Sequence, residues 1–160
     1  AQNPCPCGYL GDSVHRCSCK QSEIDSYKRK ISGPLMDRID MQINLSRVEF
    51  SELKTKEKGE SSAAIRERVV KARLLQQERL EAVGIHCNAQ MGRSEVVKYC
   101  QLDAAAQNVM ERYFNMLNLS ARSHDRILKV ARTIADLAGS ESIEAVHLAE
   151  AIQLRTSVRP

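Results

Sequence analysis

Residues 119–139 read LSARSHDRILKVARTIADLAG and carry the most regular helical pattern in the chain. Ser120 can cap the start of this helix, and Gly139 can end it. Between them, apolar residues recur at the three-to-four-residue spacing of an amphipathic helix. The predicted buried side consists of Ile127, Val130, Ala131, Ile134, Leu137 and Ala138. Arg126 and Arg132 are less aligned with the face that carries Arg122 and Lys129, and we predict that both are solvated.

Helical patterns also fill the surrounding sequence. A long helix precedes Gly84, with an apolar stripe of Ile65, Val69, Ala72, Leu80 and Val83. A short helix covers 95–100, Asp103 caps another, and a last helix begins near Glu144. Residues 61–160 therefore predict an all-helical bundle. Residues 49–60 are polar and of mixed charge, which is typical of a connector, so residues 1–48 form a separate region.

The first region has a different character. Residues 1–21 are rich in proline, glycine and cysteine and have no periodicity, which predicts a loop. A short helix capped by Ser22 follows and ends at Gly33-Pro34. Residues 41–45, MQINL, alternate in the manner of a β-strand.

Two close cysteine pairs stand in the loop, and they are Cys5-x-Cys7 and Cys17-x-Cys19. Four thiolates around a zinc ion would order a segment too small for an apolar core. Reduced free thiols and disulfides are the alternatives, although a cytosolic setting disfavours disulfides. His15 could replace one cysteine as a ligand. Cys87 and Cys100 stand apart and are interpreted as packing residues.

Composition narrows the functional classes. Lysine and arginine total 24 and aspartate and glutamate total 20, so the net charge of +4 permits a phosphate-rich partner without requiring one. Two Phe, four Tyr and no Trp argue against a surface that stacks single-stranded bases. No apolar stretch approaches the roughly 20 residues of a membrane span, and the first residues lack a signal pattern. We expect a cytoplasmic protein.

Three segments together resemble the magnesium-chelatase-like AAA+ ATPases. They are NPCPCGYLGD at 3–12, SGPLMDRID at 32–40 and the helix at 119–137. The resemblance implies a mainly α fold, in which a helical AAA+ lid bundle (61–160) follows a cysteine-rich loop and the end of the α/β AAA+ core (1–48). It also implies that the chain is a C-terminal fragment of a longer protein.

The resemblance assigns a role to Arg38. Considered alone, an arginine between Asp37 and Asp40 is a member of a local salt bridge that contributes little at a surface. In this family, an arginine after the apolar turn and before the last core strand is the arginine finger. It reaches the ATP site of the neighbouring subunit and stabilises charge on the transferred phosphoryl group.

Three more residues gain roles from the resemblance. Arg122, otherwise a solvated helix charge, corresponds to the sensor-2 arginine that contacts the γ-phosphate of ATP. Lys129 lies two turns further on the same face and would extend the positive surface. Asn3, otherwise a turn residue, corresponds to sensor 1, which orients the attacking water.

No G-x-x-x-x-G-K-[ST] motif occurs in the chain, so we expect no ATP hydrolysis by the chain alone. The resemblance implies ATP and Mg²⁺ as cofactors of the whole protein, and neighbouring subunits of a homo-hexamer and DNA as its partners. Its activity would be ATP-driven DNA remodelling at branch points.

Two other functions fit parts of the sequence. One is a stand-alone, zinc-containing helical DNA-binding module, which would bind duplex DNA with a salt-dependent affinity. The other is the motor subunit of a magnesium chelatase, against which the cysteine-rich insertion argues by family comparison.

Overall fold

The structure is a computed structural model that describes residues 1–36, 38–45, 48, 54, 59–117 and 119–156. In these residues the regular structure consists of seven α-helices and no β-strand, which confirms the predicted mainly helical fold. The chain divides into two compact units, Ala1–Ile39 with Asn44–Lys56 and Asp40–Ile43 with Glu57–Pro160. The predicted connector at 49–60 falls almost wholly outside the described residues.

The first unit contains two short helices, α1 (Gln21–Arg29) and α2 (Gly33–Met36). The cap of helix α1 is Lys20, two residues before the predicted cap Ser22, because the carboxylate of Glu23 accepts a hydrogen bond from the backbone N–H of Lys20 at 2.8 Å. Pro34 lies in the first turn of α2, where a missing N–H leaves no helical bond unmade.

The second unit is a bundle of five helices. They are α3 (Ser62–Leu80), α4 (Arg93–Tyr99), α5 (Ala104–Leu117), α6 (Ala121–Ala138) and α7 (Ala145–Thr156). Two 3₁₀ turns, Glu81–Val83 and Asn88–Gln90, join α3 to α4. Helix α6 is central and packs against α3, α4 and α7. None of the helices in the described part of the chain is long and apolar enough to cross a bilayer.

Local capping explains where these helices begin and end. The side chain of Asp103 accepts a hydrogen bond from Ala106 N–H at 2.7 Å, and that of Ser120 accepts one from Ser123 N–H at 3.1 Å. Gly139 ends α6 with φ of 72°, in the left-handed region that glycine adopts without strain. The predicted caps and the predicted helix end are confirmed.

The buried face of α6 differs from the predicted one. Ile127 and Ala131 are buried as expected, but Leu137 is 48% exposed. Arg132 is only 2% exposed, so the prediction that it is solvated is wrong. Because α6 is covered by α7 and also by α3, its buried face is wider than one apolar stripe and includes polar residues.

Residues 41–45 do not form the predicted strand. Met41, Ile43 and Leu45 are 53%, 67% and 91% exposed, and the backbone N–H of Gln42 donates to the carbonyl of Leu154 at 2.6 Å. A strand is defined by its hydrogen bonds to a neighbouring strand, and the described residues contain no such neighbour.

Candidate functional site

The N-terminal segment brings four thiol groups together. The Sγ atoms of Cys5 and Cys7 are 3.4 Å apart, those of Cys5 and Cys17 are 3.7 Å apart, and those of Cys7 and Cys17 are 3.6 Å apart. The Sγ atom of Cys19 joins them in a group whose members all lie within 4.8 Å of one another. The four cysteines are unbonded to each other and form a cluster that could hold a metal ion.

Turns and a ring contact place the two cysteine pairs. The N–H of Gly8 donates to the carbonyl of Cys5 at 3.0 Å, and Gly8 has φ of 85°, which favours glycine. In the loop between the pairs, the rings of Tyr9 and His15 stack with their centroids 4.9 Å apart. His15, the alternative ligand, therefore packs on Tyr9, and the four-member group consists of cysteines alone.

Cys7 and Cys19 in this cluster have pKa values that are shifted in opposite directions. Backbone hydrogen bonds from Tyr9 and Ser18 lower the pKa of Cys7 to about 5. A backbone hydrogen bond with Cys7 also lowers the pKa of Cys19, but desolvation and the sulfurs of Cys7 and Cys5 outweigh it and raise that pKa to about 12. A thiolate at Cys7 therefore disfavours a second thiolate at Cys19, because neighbouring negative charges repel.

Asn3 lies beside the cysteine cluster. Its side chain is exposed, and its Nδ2 atom is 3.8 Å from the position that a Cβ atom on Gly8 would occupy. Only Pro4 separates Asn3 from Cys5. Any interaction that orders the cysteine loop therefore also helps to fix the position of Asn3.

Arg38 is exposed and lies two residues after the end of α2. Its backbone N–H donates to the carbonyl of Leu35 at 2.9 Å, which continues the turn of that helix. Asp37, one of the two predicted salt-bridge partners, lies outside the described residues. The other, Asp40, accepts a hydrogen bond from the guanidinium of Arg126, which is therefore not the freely solvated side chain that we predicted.

Arg122 and Lys129 lie two turns apart on one face of α6. Arg122 is exposed in the first turn. Lys129 is half-buried, and its ammonium group donates to the carbonyl of Ala89 at 3.3 Å. The roles predicted for Asn3, Arg38, Arg122 and Lys129 remain predictions.

The first turn of α6 is anchored from inside the bundle. Arg155, near the end of α7, is 7% exposed and donates to the hydroxyl of Ser123 at 3.1 Å. Ser123 is itself 2% exposed, and its N–H is held by the cap residue Ser120. Arg122 therefore projects from a fixed turn. This contact has no signal in the sequence, because no local pattern relates residue 155 to residue 123.

A groove of about 880 Å³ opens beside the same end of α6, between α4, α5 and α6. Val96, Met110 and Phe114 contribute apolar side chains to its walls. Arg93 and His124 add polar groups, and both contact the carboxylate of Asp125, His124 at 3.0 Å. The groove could receive a partly apolar ligand next to the helix that carries Arg122.

A buried ionic network joins α3 to α6. The carboxylate of Asp136 accepts hydrogen bonds from Arg79 at 2.5 and 3.1 Å, from Asn88 at 2.8 Å and from Arg132 at 3.0 Å. Arg132 also donates to the carbonyls of Ser140 and Glu141. Burial lowers the pKa of Arg132, and the charge of Asp136 opposes that change. In the sequence, the four-residue spacing of Arg132 and Asp136 could have indicated this ion pair, because side chains four residues apart are neighbours on a helix.

The chain is similar to known proteins along nearly its whole length. Residues 59–155 match the C-terminal family of magnesium chelatase subunit ChlI, and residues 1–53 match the family of magnesium chelatase subunit ChlI. The competence protein ComM of Haemophilus influenzae is 39% identical over 160 residues, which cover 99% of this chain and 30% of ComM.

Two further relatives lack a described function. The uncharacterized protein YifB of Escherichia coli is 36% identical over 156 residues, and an uncharacterized protein of Mycobacterium tuberculosis is 32% identical over 155 residues. Each alignment covers 97% of this chain and 30% of the relative, so the chain spans less than a third of the length of these relatives. The chain belongs to the magnesium chelatase ChlI family and corresponds to the C-terminal part of such a protein.

Proposed function

We propose that the chain is the C-terminal part of a ComM-like AAA+ ATPase and that it supplies two arginines to ATP sites that the rest of the protein builds. The observation that carries this proposal is the exposure of Arg122 on a helix end fixed by Ser120 and Arg155. A cation on a preorganised turn can contact a phosphate at a small entropic cost.

Arg122 acts within its own subunit as the sensor-2 residue on the γ-phosphate. Lys129 adds positive charge on the same face, although its present bond to Ala89 limits how far it reaches. Asn3 orients the attacking water. The exposure of Asn3 beside the cysteine cluster is compatible with this role.

Arg38 acts between subunits as the arginine finger. A guanidinium group neutralises charge that develops on the transferred phosphoryl oxygens, and such a residue contributes a factor of about 10³ to 10⁵ in rate in related NTPases. The exposed position of Arg38 after α2 supports an interaction with a second molecule.

The cofactors of this activity are ATP and Mg²⁺, bound together with the part of the protein outside this chain. A structural zinc ion at the cysteine cluster is a separate cofactor and takes no part in hydrolysis. The partners are the neighbouring subunits of a homo-hexamer and branched DNA, along which the motor moves during uptake of foreign strands. We place this activity in the cytoplasm.

Mixed oligomers of the full-length protein test the two arginine roles. Arg38→Ala and Arg122→Ala should each lower ATP turnover at saturating ATP, the first by about 10³-fold. Each variant is then mixed with a subunit whose phosphate-binding loop is defective. That subunit supplies Arg38 to a neighbour's intact site, so Arg38→Ala regains turnover. Arg122→Ala does not, because Arg122 must act in its own subunit.

Arg112→Ala is the matched control, because it removes an exposed arginine from α5. Its turnover should equal that of the unaltered protein. Unchanged turnover in Arg38→Ala, or no recovery on mixing, would contradict the intersubunit role. The alternative of an independent DNA-binding module requires instead that the 160-residue chain alone binds duplex DNA with an affinity that falls steeply with salt.

A further inference from the structure

Residues 1–20 contain four cysteines whose sulfur atoms lie close together, and the proposed ATP chemistry does not use them. We propose that Cys5, Cys7, Cys17 and Cys19 bind one structural zinc ion in tetrahedral geometry. The ion orders the N-terminal loop in the way that an apolar core orders a larger unit. The inference does not depend on the proposed ATPase function.

The spacing of the sulfur atoms fits a single ion. A Zn–S bond is about 2.3 Å long, so the edge of a ZnS₄ tetrahedron is about 3.8 Å. The three closest Sγ–Sγ separations, between Cys5, Cys7 and Cys17, are 3.4, 3.6 and 3.7 Å. The Sγ atom of Cys19 lies within 4.8 Å of the other three, so a small adjustment brings the fourth ligand to the same distance.

Other cysteine chemistries fit these distances less well. A disulfide requires an S–S distance of about 2.05 Å, which is much shorter than the 3.4 Å of the closest pair. An iron–sulfur cluster places iron and sulfide between the thiolates, which moves their sulfurs beyond the edge of a single tetrahedron. A tetrahedral set of four thiolates is typical of structural zinc sites.

The surrounding segment needs a metal for its order. Among residues 1–20, Cys5 is the only one that is buried, so the loop has no apolar core of its own. The turn at Gly8 and the Tyr9–His15 stack set the direction of the chain but bury little surface. Metal binding would supply folding free energy that these contacts do not supply.

Thiol reactivity and metal content test the site in the purified 160-residue chain. We expect one zinc ion per chain, and four thiols that react with a thiol reagent only after a chelator has removed the metal. Cys87 and Cys100 lie outside the cluster and are counted separately. Reaction of the four cluster thiols before chelation would show free cysteines, and reaction of these four only after reduction would show disulfides. Either result overturns the proposal, as does one iron ion per chain in place of zinc.

Variants locate the ion. Cys17→Ser should lose the bound equivalent of zinc, whereas Cys87→Ser, which alters a half-exposed cysteine outside the cluster, should retain it. Because Cys17→Ser could fail to fold, X-ray absorption on the unaltered zinc-loaded chain gives an independent measurement. Four sulfur ligands at about 2.3 Å are expected. A shell that contains nitrogen or oxygen would overturn the four-cysteine assignment.

Discussion

At the scale of single residues, Asp136 makes the most consequential polar contacts of the bundle. Its buried carboxylate is held by Arg79, Asn88 and Arg132. If one member of a buried ion pair is removed, the remaining charge stays buried without its partner, which lowers the free energy of unfolding by about 3–5 kcal/mol. We therefore predict that Asp136→Ala lowers the free energy of unfolding of this chain by about 3–5 kcal/mol, measured by urea unfolding followed by circular dichroism.

The control for this prediction is an ion pair on the surface. Glu67 and Lys71 form an ion pair at 2.8 Å within α3, and both side chains are about 70% exposed. Such pairs contribute about 0.3–0.5 kcal/mol, so Glu67→Gln should change the free energy of unfolding only slightly. Equal effects of the two substitutions would show that the Asp136 network does not stabilise the bundle.

At the scale of elements, local rules predicted the starts of α5 and α6 and the end of α6, and they failed where distant elements decide the outcome. The caps at Asp103 and Ser120 and the end at Gly139 depend on neighbours within a few residues, so their sequence signals sufficed. The burial of Arg132 depends on α3, whose Arg79 contacts Asp136 from 57 residues away. No periodicity within α6 could indicate that second covering surface.

The candidate site likewise contains one feature that local sequence predicted and one that it could not predict. The pairing of cysteines in the sequence predicted the cluster, because two C-x-C pairs on a short loop can meet without help from other elements. The hydrogen bond from Arg155 to Ser123 was beyond prediction, because it requires α7 to pack against α6 first.

The contact between α7 and α6 yields a prediction at this scale. A hydrogen bond to a charged group contributes about 1.5–3 kcal/mol, so Arg155→Met should raise the rate of local opening at the start of α6 by at least about tenfold. Hydrogen exchange measures this change at the amides of Ser123 and His124, which bond to Ser120.

Arg112→Met, on the exposed side of α5, is the control and should leave both amides unchanged. Equal exchange in the two variants would mean that Arg155 does not hold the turn of Arg122.

At the scale of the whole molecule, the two units differ in how many apolar side chains they bury. The second unit has a contiguous apolar core that includes Leu80, Ile127 and Leu148. The first unit has one buried apolar side chain in its described helices, Ile24, and its cysteine cluster is the site of the proposed zinc ion.

This difference predicts how the chain responds to metal removal. A chelator should make residues 1–20 accessible to protease, because it removes the ion that orders them. The urea midpoint of the helical unit should stay unchanged, because its free energy of unfolding comes from apolar burial. Limited proteolysis with mass spectrometry and circular dichroism measure the two effects on the same sample.

Ile127→Ala is the reciprocal control, which should lower the urea midpoint and leave the N-terminal loop protected while zinc is bound. If the chelator lowered the midpoint of the helical unit as much as this core substitution does, the two units would not be stabilised independently.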